Sequence, residues 1–231
     1  MWPQLLKTTT HKTRARVRVA LADFNSGAGF LPDLVDVANS VQEYYDFDLI
    51  YLPFPSGAIV RGGFEEYPDV PRFSLTAIQD AMVTLPADLE VQVAIGLTKY
   101  LIATATYSDM FTEQHPLNRD VRFVSTYGVR DYASQADVSF ARATLSLCLS
   151  ELLRQDPRWK LEEHPETVGC LLDFCENRDD LVVSLKRMAF EHKACRSKVR
   201  DPDMLAAIDR LLGIELPPEL LKEEARPEPQ A

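Results

Sequence analysis

No stretch of this 231-residue chain approaches the run of roughly 18 apolar residues that a membrane-crossing helix requires, so a spanning role is not expected. The opening run MWPQLLKTTTHKTRARVR is basic and lacks the apolar centre of a secretory signal. Positive charge is in deficit. Lys and Arg number 25 against 35 Asp and Glu, a net charge of −10, which argues against a global affinity for nucleic acid or anionic membranes. Cysteine is scarce, at four residues. With no export signal, a reducing cytoplasmic location is expected, where clustered thiols hold metal more often than they form disulfides. Among His11, His115, His164 and His192 no two stand four residues apart. The pair of histidines one helical turn apart that a hydrolytic zinc requires, with a glutamate to activate its water, is therefore missing. No internal repeat is found.

What is present suits one large domain or a domain with a small appendage: 46% of residues are apolar and 26% charged. Residues 1–14 are expected to form a flexible arm. Strand patterns follow in RVRVALADF, DFDLIYLPF, LEVQVAIGL and VRFVSTYG. Between them, Pro32 opens a helix with Leu34, Val37, Val41 and Tyr44 on one stripe, and Ser74 caps a second helix that Pro86 stops. This order predicts an α/β fold with a mixed sheet flanked by helices over residues 15–156. A long amphipathic helix closes the core, starting at Ser134 with Asp137 completing a capping box. Val138, Ala141, Leu145, Leu149 and Leu152 form its inward stripe. Residues 157–222 are expected to form a small helical zinc module packed on the core. Its last helix starts at Asp201-Pro202 and turns Leu205, Ile208 and Leu212 inward. Residues 223–231, polar and proline-rich, are expected to be disordered.

The module holds the chemistry. Cys170-x4-Cys175 is followed sixteen residues later by His192-x2-Cys195. Two close pairs of soft ligands joined by a linker are the arrangement of a structural zinc site, each pair giving two corners of a tetrahedron. The linker forms a short helix with Leu181, Leu185 and Met188 on one side. One Zn2+ held by Cys170, Cys175, His192 and Cys195 is the expectation, with no corner left open for water. Cys148, on the long helix, reads as packing.

The piece GCLLDFC…HKAC after a long helix, with VAIGLTKYLI and VRFVSTYG upstream, resembles the order of parts in the archaemetzincins, a family of metzincin-type zinc metallopeptidases. In that family the helix carries HExxHxxGxxH, and cysteine pairs following at once bind a second, structural zinc. The resemblance implies that role for Cys170, Cys175 and Cys195, with His192 standing where the family has cysteine. It also exposes a departure. The helix FARATLSLCLSELLRQ has no histidine, and Gly169 stands where the family has its third histidine ligand. The resemblance thus implies a pseudoenzyme that kept the structural zinc and lost the catalytic one, its catalytic place filled by apolar or small side chains including Cys148. Such a protein would act through a protein partner, with a bacterial defence or regulatory system as the suggested setting.

Two other classes compete. One is a hydrolase with an unfamiliar constellation around His164, beside Glu162, Glu163 and Glu166, or around His115. The other is a nucleotide or nucleic-acid sensor using the NSGAG turn or the basic run KRMAFEHKACRSKVR. The turn lacks the third glycine of a dinucleotide fingerprint and the Lys-Ser/Thr of a P-loop. Neither nucleotide nor nucleic acid is the expected partner.

Overall fold

Val17, Val19 and Leu21 alternate with Arg18 and Ala20 in the first strand of the chain, and this period of two seats β1 (Val17–Asp23) at the heart of the sheet. The computed structural model describes residues 16–54, 59–60, 70–73, 80–102, 111–115, 118–175 and 178–217. The main sheet adds β2 (Tyr45–Tyr51), β5 (Val93–Thr98), β7 (Thr112–Gln114) and β8 (Val121–Ser125), in the order β2-β1-β5-β8-β7. β2, β1, β5 and β8 run parallel in register, and β7 closes the edge antiparallel to β8. A smaller sheet joins β3 (Ile59–Val60), β4 (Arg72–Phe73) and β6 (Leu101–Ile102). All of β5 and β8 is buried, as central strands covered on both faces must be. At Gly96, mid-β5, a Cβ would come within 2.6 Å of the Met82 sulfur, so only glycine lets that packing close.

Among the described residues the complete helices are α1 (Leu31–Val41), α2 (Leu85–Asp88), α3 (Val129–Ala136), α4 (Phe140–Gln155), α5 (Arg178–Arg187), α6 (Lys193–Arg196) and α7 (Pro202–Leu212). The α/β class and the mixed sheet are as the sequence predicts. The expected long helix from Ser134 is two helices. Asp137 takes a left-handed conformation and ends α3, and Ser139 caps α4 by accepting the N–H of Arg142 at 3.2 Å. The expected helix from Ser74 falls mostly outside the described residues, of which 80–82 are helical.

α4 is buried on nearly every side, from Phe140 and Ala141 through Ser146, Ser150 and Glu151 to Leu153. Its stripe was expected on one face only. The second face is covered because the C-terminal segment packs over it, so that Leu149, Leu172, Leu181, Cys195 and Ile208 share one hydrophobic core with β1 and β5. In α7 the buried residues are Met204, Ala207, Ile208 and Leu211, whereas Leu205 and Leu212 are only partly buried. Asp201 caps this helix, accepting the N–H groups of Asp203 and Met204 and the hydroxyl of Tyr44 at 3.1 Å, which ties α7 to the start of β2.

Candidate metal centre

Beyond α4 the chain folds back on itself in short bridges rather than regular elements. His164 pairs with the 172–174 segment: its N–H donates to Leu172 O at 3.0 Å, and its carbonyl accepts from Phe174 N at 2.9 Å. Cys170 bridges to Ala189, next to α5, while Ser184 Oγ of that helix donates to the Cys170 carbonyl at 3.2 Å. A tight turn from Cys170 to Asp173 is fastened by Asp173 Oδ2, which accepts the N–H groups of Gly169 and Cys170 at 2.7 and 3.0 Å. His192 stands at the start of α6 and Cys195 lies one turn on, with His192 Nδ1 3.2 Å from Cys195 Sγ.

These bridges gather four donors. His164, Cys170, His192 and Cys195 each offer one ligand atom, and all four atoms lie within 4.8 Å of one another. The two imidazole rings are 4.5 Å apart between centroids. A tetrahedron with zinc bonds of about 2.0–2.3 Å has edges of roughly 3.3–3.8 Å, so a contraction of about 1 Å seats an ion. Both thiols are buried, and burial pushes Cys170 up to about 12 and Cys195 above its ordinary range. Both ring nitrogens of His164 are buried without a hydrogen bond. Two buried thiols, the His192 ring and one orphaned nitrogen of His164 are the donor set of a soft, tetrahedral cation, and the set is compatible with zinc.

Cys175 is not in this group. Its sulfur lies 3.8 Å from the Asp173 carbonyl and faces a cleft. The cause is the turn at 170–173, which aims Cys170 inward and carries Cys175 past the centre, while the bridge at 172–174 brings His164 in. His164 precedes Cys170 by six residues, too wide for a close pair, and only its glutamate neighbours drew attention to it in the sequence.

The cleft has a volume of about 290 Å³ and lies between β7, the outer face of α4 and α5. Ser146, Ser150 and Arg154 project toward it from α4, and Leu181, Leu185 and Met188 from the other wall. Behind it runs a buried ion network. Glu151 Oε2 accepts from Arg122 at 3.3 Å and Oε1 from Arg154 at 2.8 Å, and Arg154 reaches Glu163 at 2.5 Å. Burial pushes the carboxyl groups of Glu151 and Glu163 up, and the facing arginines oppose that shift. The α4 wall thus carries the small Ser146 and Ser150, the apolar Leu147 and the charged Arg154, and Cys148 is not part of it. Cys148 lies elsewhere, against Leu21, Leu31 and Leu145, and burial raises its pKa to about 12.

The rival motifs are used internally. In the NSGAG turn, Ser26 N–H donates to Asp23 Oδ1 at 2.7 Å and Ala28 N–H to Ser26 Oγ at 3.2 Å, so two of its backbone donors are used within the turn. In the basic run, Arg196 makes a two-pronged pair with Asp209, and Arg187 donates to the Val168 carbonyl at 2.8 Å. His115 is buried with Nδ1 accepting from Asn118 N–H at 3.0 Å, and it lines neither the cleft nor the Cys/His group. Among the described residues no helix is long and apolar enough to cross a membrane.

No protein-family model matches the chain, and no curated protein sequence does. Two solved structures are similar. One is a zinc-dependent peptidase from Methanocorpusculum labreanum, at 15% identity and a TM-score of 0.49 over 78% of this chain and 98% of that one. The other is archaemetzincin from Methanopyrus kandleri, at 14% identity and a TM-score of 0.59 over 89% of this chain and 99% of that one. The likeness to the latter is one of fold: this chain has an archaemetzincin-like α/β fold, and its own Cys/His cluster lies near the C-terminal end.

Proposed function

We propose that this chain is a catalytically inactive protein of metallopeptidase fold, stabilised by one structural zinc and working through a protein partner held at its cleft. The observation that carries the reading is the cleft face of α4. Ser146, Leu147, Ser150 and Arg154 stand there, backed by the Arg122–Glu151–Arg154–Glu163 network. A hydrolytic zinc needs imidazoles on that face to hold it. His164 and His192 point into the Cys/His group instead.

His164, Cys170, His192 and Cys195 would hold the zinc. With four protein donors it supplies a cross-link between the 164–174 bridge and the start of α6, and no open position for water. The cleft that remains has an apolar wall and a charged wall, a surface suited to binding. The sequence resemblance suggests a bacterial defence or regulatory setting for such a protein.

The test combines metal content with activity. Purified protein is expected to carry about one zinc per chain and to show no chelator-sensitive cleavage of unfolded protein substrates. Turnover abolished by chelator and restored by zinc, with the fold intact throughout, would refute inactivity. A folded, metal-free chain that takes up no zinc would refute the centre.

A further inference from the structure

Asp173 uses its two carboxylate oxygens for different tasks. Oδ2 fastens the turn at Gly169 and Cys170. Oδ1 is buried without a hydrogen bond and lies 3.6 Å from His164 Nε2. Three buried polar atoms, Asp173 Oδ1 and both nitrogens of His164, thus meet with no hydrogen bond among them. Leaving such groups unsatisfied is costly, so an arrangement that satisfies all three at once is favoured. One ion does so. With Nδ1 on the metal, the imidazole proton must sit on Nε2, where it donates to Oδ1. The opposite assignment would put Nδ1–H on Glu166, 3.7 Å away, but that carboxylate is 70% exposed and orients little.

The same residue belongs to the cleft. Asp173 lines it together with Leu171, Phe174 and Cys175, and the facing wall runs through Leu185 and Met188 into Ala189, the residue bridged to Cys170. Leu171 thus follows the ligand Cys170 directly, and Met188 precedes Ala189, which is bridged to the same Cys170.

Resting on the zinc assignment above, we propose that Asp173 is the positioning residue of the centre, orienting His164 through Nε2–H, and that it makes the shape of the cleft depend on metal occupancy. With the ion bound, residues 170–175 are fixed from both sides. With it removed, His164 loses its orientation and this wall of the cleft loosens. By linkage, whatever occupies the cleft tightens the metal by the same factor that the metal tightens the occupant.

The experiment uses the full chain, with Co2+ as spectroscopic probe and Zn2+ as competitor, in wild type, Asp173→Asn, Asp173→Glu and Glu166→Gln. Alkylation of Cys175, located by mass spectrometry, reports on the cleft. Asp173→Asn is expected to weaken metal binding about 10–100-fold and to alter the Co2+ absorption bands, Asp173→Glu to recover part of the loss, and Glu166→Gln to change little. In wild type, chelation should speed Cys175 alkylation several-fold, and in Asp173→Asn the rate should stay raised even at saturating zinc. Wild-type affinity in Asp173→Asn, or a loss confined to Glu166→Gln, overturns the proposal while leaving the zinc centre standing. Wild type that binds no metal overturns both. Should Asp173→Asn fail to fold, Cys175 protection in wild type decides: equal alkylation with zinc and with chelator overturns the coupling.

Discussion

Arg122 of β8 and Glu151 of α4 meet at 3.3 Å with 2% and 0% of their side chains exposed, deep between the sheet and the helix that covers it. Burial disfavours both charges, raising the Glu151 carboxyl and lowering the Arg122 guanidinium from their ordinary values. The pair persists because each charge answers the other and Arg154 adds a second donor to Glu151. Removing one member strands the other. Arg122→Met is expected to cost about 3–5 kcal/mol, whereas Arg122→Met combined with Glu151→Leu should cost much less. Urea denaturation of the single and double variants checks this, and a single variant as stable as the double would show that the pair is not coupled.

Gly169 carries a second prediction. Its φ is +83°, and a Cβ there would stand 2.4 Å from the Cβ and Cδ of Arg187. A histidine placed at this position therefore cannot be accommodated without displacing Arg187. Gly169→Ala is expected to lose about 2–4 kcal/mol, combining left-handed strain with overpacking. For a chain of this size that is a fall in Tm of about 5–15 °C, and thermal unfolding followed by circular dichroism measures it.

The sheet was legible because its strands obey a period of two over long stretches, as at Val17–Asp23 and Val93–Thr98. α4 was legible as a helix but not in its surroundings. A one-sided stripe is expected, because nothing local says that a segment more than ten residues later will cover the second face. The break at Asp137 was hidden because Asp serves both as an N-terminal cap and as a left-handed residue that ends a helix. At the centre, Cys170, His192 and Cys195 were named from spacing. The structure gathers His164 rather than Cys175 with these three, and the bridge between His164 and Asp173 that does so is a tertiary pairing with no periodicity to announce it.

The one-residue offset in α7 gives a direct comparison. Leu211 is 1% exposed, while Leu212, expected inward, is only partly buried. Leu211→Ala is expected to cost about 2–5 kcal/mol and Leu212→Ala clearly less. Equal losses would mean that the helix is rotated from the orientation described.

Cys175 separates the observed donor set from the one that spacing suggested. Its thiol faces the cleft and is pushed up to about 12, first by burial and then by the nearby charges of Asp173, Asp180 and Glu163. A raised thiol pKa means that the neutral form is held and the nucleophilic thiolate appears only as pH approaches that value. Alkylation of Cys175 in the zinc-loaded protein should therefore be slow near neutrality and climb about tenfold per pH unit through pH 10 without a plateau. A plateau near the ordinary thiol range of about 8–9 would show a solvated side chain. Because Cys175 lies outside the group of four, Cys175→Ser should keep its zinc, whereas His164→Ala and Cys195→Ser should each lose it. Zinc analysis after dialysis distinguishes the two sets, since loss of the ion in Cys175→Ser together with its retention in His164→Ala would restore the ligand set read from spacing.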